Sequence, residues 1–159
     1  FTTATVERQA DINVTDDTDG LIGLDAGDQA QIISTNGKLT IDMSQTPATG
    51  VNQDATFTFG DPSDPSKTAF NITNQDGEQQ TFGLDFRQGN DPAPGTENVN
   101  FSVYKSSGDR AFSETDGDGI GSSTGVTLDA DESAYVVITV DTTGADGGET
   151  LDGTLEVTV

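Results

Sequence analysis

Apolar and polar positions alternate with a period of two in short runs along the whole chain. The three-to-four spacing of an amphipathic helix is almost absent. In Phe82-Gly-Leu84-Asp-Phe86 and Val99-Asn-Phe101-Ser-Val103 every second residue is apolar, which sends one set of side chains to each face of an extended chain. The pattern predicts strands over Thr2 to Thr15, Ala30 to Thr35, Lys38 to Met43, Ala55 to Phe59, Thr68 to Thr73, Gln80 to Arg87, Val99 to Lys105, Gly125 to Leu128, Ser133 to Val140 and Leu151 to Val159. Inward positions would be Phe57, Phe59, Phe70, Ile72, Phe82, Leu84, Phe86, Val99, Phe101, Val103, Leu151, Leu155, Val157 and Val159. Gly and Pro clusters such as Asp61-Pro62 through Asp64-Pro65 and Asn90 through Gly95 punctuate the gaps. A short helical stretch is expected near Asp25 to Ala30. Many short strands between turns predict an all-β fold, a β-sandwich of Greek-key or jelly-roll-like plan. The organisation expected is an N-terminal strand over 1–15 and one sandwich domain over 16–159, without internal repeat or linker.

The first predicted strand is unusual in length. Its 14 residues would extend about 45 Å at roughly 3.3 Å each, where strands commonly hold about five or six residues. One face carries Ala4, Val6, Ala10, Ile12 and Val14, interrupted by Arg8; the other is polar. Two readings follow. The segment is either the first strand of its own sandwich, or an arm that fills a groove in a neighbouring subunit by strand addition. Head-to-tail exchange of that kind does not close on itself and builds a filament.

Composition narrows the field of functions. The 159 residues hold 28 acids, 6 bases, no histidine and no cysteine, for a net charge of −22. Binding to nucleic acid or anionic lipid needs a basic patch that this chain lacks. Cysteine nucleophiles, histidine bases, zinc sites of the usual type, haem ligation and disulfides are removed together. No apolar run approaches the roughly 20 residues of a membrane span. Charge of this density repels itself in dilute buffer but is screened in strong salt, where the Debye length falls to about 3 Å at 1 M. With 21 Asp and 24 Thr against three Lys and three Arg, the expectation is a halophile's protein. A chain that opens at Phe1 rather than Met reads as a mature form after signal-peptide removal, hence extracellular or on the cell surface.

Candidate sites are few. Three Asn-x-Ser/Thr sequons start at Asn13, Asn71 and Asn100. Asn71 and Asn100 alternate with apolar residues, so each is expected to point away from the core, where a glycan has room. Glu114, Asp116 and Asp118, followed by Gly119, match the first half of a Ca²⁺ loop, in which alternate oxygens converge around a turn. The twelfth position is Gly125 instead of a bidentate Glu, so the segment is either a Ca²⁺ site or a solvated acidic loop. Asp16 to Asp19 reads as a turn or a weaker cation site. With so many acids, any pair of carboxylates is expected by chance, and with no Trp and only Tyr104 and Tyr135 outside the Phe core there is little to stack a sugar in a glycosidase cleft. No lysine spacing singles out an isopeptide bond, and no Gly-rich phosphate loop precedes a helix. The chain is expected not to be an enzyme.

Several segments carry a resemblance. Phe1-Thr-Thr-Ala-Thr-Val-Glu-Arg8, Ile12-Asn-Val-Thr-Asp-Asp-Thr-Asp-Gly-Leu-Ile-Gly-Leu24, Gly50 to Phe57, Phe70 to Gln75, Val126 to Ser133 and Val137 to Thr142 resemble a family of exported haloarchaeal β-proteins of uncharacterised function. In overall plan the chain is similar to the TasA and camelysin group of small secreted sandwiches. That resemblance implies an extracellular archaeal filament or pilus in which identical subunits join head to tail by donating the N-terminal strand, with an adhesion, biofilm or cell-bridging role. Ala4, Val6, Ala10, Ile12 and Val14 would then be the donor positions, and Arg8 departs from an all-apolar donor face. The alternative is a monomeric secreted or envelope-associated domain that binds a partner or glycan.

Overall fold

The computed structural model describes residues 20–27, 33–35, 39–42, 52, 54–64, 66–88, 98–114, 125–144 and 153–159. They form eleven strands, with no helix among the described residues: β1 (Ile22–Ala26), β2 (Ile33–Thr35), β3 (Leu39–Ile41), β4 (Thr56–Phe59), β5 (Phe70–Asn74), β6 (Gln80–Gln88), β7 (Asn98–Tyr104), β8 (Arg110–Glu114), β9 (Val126–Leu128), β10 (Ser133–Asp141) and β11 (Gly153–Thr158). The main sheet runs β1-β5-β10-β7-β8, with β4 also paired to β10; a second sheet runs β11-β6-β9, and β2 and β3 form a hairpin. Every pairing is antiparallel. The two larger sheets pack together, so the expected β-sandwich is what the chain forms.

Period-two alternation sets the packing. Phe70 and Ile72 of β5, Val99, Phe101 and Val103 of β7, and Ala134, Val136, Ile138 and Val140 of β10 are buried on one face of the main sheet. Phe82, Leu84 and Phe86 of β6 meet them from the second sheet, with the Phe86 and Phe101 ring centroids 5.0 Å apart at 52°. A tilted contact at this distance suits the ring quadrupoles.

Buried polar groups tie the layers. Asn74 at the end of β5 is 0% exposed, and its Nδ2 donates to the carbonyls of Glu78 (2.8 Å) and Leu128 (3.1 Å). Its main chain takes an N–H from Asp131 and gives one to Glu132. One side chain thereby joins the β5–β6 turn to the β9–β10 turn. Glu114, the last residue of β8, is also 0% exposed, and its Oε1 accepts the Phe86 N–H at 2.9 Å.

Three expectations are corrected. Asp25 and Ala26 belong to strand β1, not to a helix: β5 offers a free ladder edge, and pairing along all five residues of β1 outweighs local preference. Glu114, expected to open an acidic loop, instead ends a strand, because Arg110–Glu114 forms a hairpin with β7 across a turn closed by Lys105 N–H to Asp109 O and Gly108 N–H to Lys105 O, both 2.9 Å. Val159, expected inward, lies one residue past β11 and is 56% exposed. The predicted strand over Thr2 to Thr15, with Arg8, and Leu151 lie outside the described residues.

Candidate functional site

β10 is flanked on one side by β7, from Tyr135 to Asp141, and on the other by two strands end to end. β5 takes Ser133–Val136 and β4 takes Ile138–Asp141. Phe59 pairs with Ile138 and Phe70 with Val136, so residues 60–69 leave and re-enter the sheet opposite the single position of Val137. Gly60 starts this excursion at φ +96, a backbone that a Cβ would strain. Two Asp-Pro-Ser turns shape it. Asp61 accepts the Ser63 N–H (2.9 Å) and hydroxyl (2.6 Å), and Asp64 does the same for Ser66 at 3.1 and 2.6 Å. These bonds hold both carboxyls below the ordinary 3.8, the serine hydroxyl being the larger cause in each. At the far end Thr68, 3% exposed, takes the Val136 N–H on its Oγ1 (3.1 Å) and returns a bond to the Phe70 carbonyl (2.7 Å).

Beyond β5 lies β1. Beyond β4 no further strand pairs among the described residues. The start of β4 is pinned by Thr142, whose N–H reaches Ala55 O (2.8 Å) and whose Oγ1 accepts the Ala55 N–H (3.0 Å) and donates to Asn52 O (2.6 Å). With Ala55 bonded to β10, antiparallel alternation also bonds Phe57 and Phe59 there and turns the N–H and C=O of Thr56 and Thr58 to the outer edge. The side chains of Thr56 and Thr58 are exposed, whereas Phe57 and Phe59 lie on the core side of the sheet and are only half-buried. The second sheet's Leu155 and Val157 are half-buried in the same way. Apolar side chains are thus incompletely covered at β4 of the main sheet and at β11 of the second.

The outer face of the main sheet is polar, and its registers align one row. Asp25 of β1, Asn71 of β5, Tyr135 of β10, Tyr104 of β7 and Arg110 of β8 are successive cross-strand partners. The tyrosines and Asn71 are half-buried, and Asp25 and Arg110 exposed. Asn71 Oδ1 is enclosed without a hydrogen-bond partner. Asn100 sits on the same face opposite Thr139, with its Oδ1 accepting the Ser102 hydroxyl at 3.0 Å.

Of the sequence-derived site residues, Asn71 and Asn100 both occupy the outer face, while Glu114 turns inward to β6. Donor positions Ala4, Val6, Ala10, Ile12 and Val14, the sequon at Asn13, the acidic run Asp16 to Asp19, and Asp116 and Asp118 lie outside the described residues. No group of three or more acidic side chains poised for a metal ion occurs among the described residues. No helix among them is long and apolar enough to cross a membrane. The features not anticipated are the half-covered β4 edge and the tyrosine row. The outward parity of Tyr104 and Tyr135 was visible in the alternation, but their adjacency depends on long-range register.

No protein-family model, no curated protein and no solved structure matches this chain.

Proposed function

We propose that this protein is a structural subunit of an extracellular filament, assembled by donor-strand complementation in a high-salt environment. The observation that carries the reading is the outer edge of β4: main-chain donors and acceptors of Thr56 and Thr58 directed outward, beside the half-covered rings of Phe57 and Phe59. A strand added there gains main-chain bonds from the edge and places alternate side chains over the rings. The segment from Ala4 to Val14 has the required pattern, with five apolar side chains on one face. Covering them at about 1.5 kcal/mol for each larger side chain stabilises the joint by several kcal/mol before the entropy of ordering the arm is subtracted. The acidic composition, at a net charge of −22, supports a salt-screened setting.

Negative-stain imaging with size exclusion in high salt tests this. Thin regular fibres are expected from the unaltered protein. Val6→Asp together with Ile12→Asp should give a folded monomer, because a charge at either position must enter an apolar groove. Fibres that persist in the double variant would overturn the exchange.

A further inference from the structure

The tyrosine row carries a second inference, independent of filament assembly. The chain has two tyrosines in all, and they are direct cross-strand partners on the outer face of the main sheet. The next residue in that row is Asn71, the acceptor of the sequon Asn71-Ile-Thr73. Its Oδ1 is enclosed without a hydrogen-bond partner, the residue as a whole is half-buried, and Nδ2 is the atom that a glycan occupies.

We infer that Asn71 carries an N-linked glycan whose first sugars lie across Tyr135 and Tyr104 toward Arg110. A pyranose presents a face of C–H groups, and an aromatic side chain combines a large apolar surface with, in tyrosine, a polar tip that meets hydroxyls. Three inter-strand steps of ~4.8 Å separate Asn71 from Arg110, about 14 Å, within reach of a short oligosaccharide. Arg110 makes no ion pair among the described residues, whereas Lys67 and Arg87 both do. In a chain with 28 acids and 6 bases, an exposed guanidinium at the end of an aromatic row complements a sugar that bears a carboxylate. The other described sequon lacks these features: Asn100 is flanked in register by Thr139 and, beyond it, Thr58.

The donor is a lipid-linked glycosyl pyrophosphate, used by a transferase. Nδ2 forms a bond to the anomeric carbon while the bond from that carbon to the pyrophosphate oxygen breaks. The electron pair leaves on the pyrophosphate, and one Nδ2 proton passes to a base of the transferase. In the closed sheet the sequon hydroxyl is already engaged, Thr73 Oγ1 lying 2.7 Å from Ser133 Oγ.

Glycopeptide mass spectrometry of the protein isolated from its native cells is the first test. A saccharide on Asn71 is expected, and an unmodified Asn71 overturns the inference. Thermal unfolding of the glycoprotein, Asn71→Gln, Tyr135→Ser and the double variant, all made in those cells, then forms a cycle in which the intrinsic cost of each change cancels. The glycan is expected to raise Tm by a few degrees with Tyr135 present and by nothing without it. An equal rise in both backgrounds overturns the contact with the tyrosines. Should Tyr135→Ser not fold, saturation transfer from the tyrosine rings to sugar protons in the unaltered glycoprotein decides the same point: transfer is expected, and none would overturn it.

Discussion

Asn74 ties the end of β5 to the β5–β6 turn and to the end of β9. Buried with its amide bonded to main-chain carbonyls of two different turns, it cannot be shortened without stranding acceptors in a dry site. Asn74→Ala should cost about 2 kcal/mol or more in denaturant unfolding, and a loss within a few tenths would show that water takes over its bonds. Glu114 has a related role, giving the Phe86 N–H an acceptor inside the core. The exposed carboxylates of Asp61 and Asp64 act at the surface. Their hydroxyl and amide donors favour the charged form, so each folded carboxyl releases its proton at a lower pH than the unfolded one. The stability they contribute is present above 3.8 and disappears as pH falls through the lower folded values. In a carbon-detected titration Asp61 should have its midpoint below 3.8, and Ser63→Ala should move that midpoint upward. An unchanged midpoint would remove the serine as its cause.

At the scale of the element, β4 makes a register-specific prediction. Proline lacks the N–H that a ladder needs and is tolerated in strands where that N–H faces a free edge. Thr58→Pro should therefore leave the subunit folded and stop fibre growth, whereas Phe57→Pro should disrupt pairing with β10 and lower Tm sharply. Size exclusion, circular dichroism and imaging of the two variants distinguish the outcomes. Fibres from Thr58→Pro would exclude the β4 edge as the acceptor while leaving an arm-dependent filament testable through Val6 and Ile12. Strand identity was largely legible along the chain. Phe82, Leu84 and Phe86, like Phe101 and Val103, announced their faces by alternation, and the core formed where that pattern said it would. β1 and β8 were missed because Ile22–Ala26 interleaves Gly23 and Asp25, both poor strand formers, and Arg110–Glu114 has Phe112 as its one large apolar residue. Their local preference is weak, and a neighbouring ladder decided their conformation.

For the whole molecule, charge is the dominant property. At −22 on 159 residues, subunit contacts must overcome mutual repulsion, and the observed ion pairs, exposed at Lys67–Asp64 and at Arg87–Glu156, stabilise little. Raising NaCl from about 0.1 M to about 1 M shortens the Debye length from roughly 10 Å to roughly 3 Å. Both Tm and fibre yield should rise across that range. Equal values at both ends would mean that the acids are spaced widely enough for repulsion not to matter.

What the sequence determined by itself was local or additive. Period-two alternation specified strands and their two faces because side-chain direction follows from backbone geometry one residue at a time. Composition specified charge and removed cysteine and histidine chemistry because those are sums over the chain. The tertiary structure decided which strands are neighbours. That β4 and β5 share one edge of β10, that Asn74 and Glu114 reach main-chain partners across the sandwich, and that Asp25, Asn71, Tyr135, Tyr104 and Arg110 fall in one row are matters of register between residues distant along the chain. Such pairings depend on how whole faces fit together in the core, and no short window of sequence contains that information.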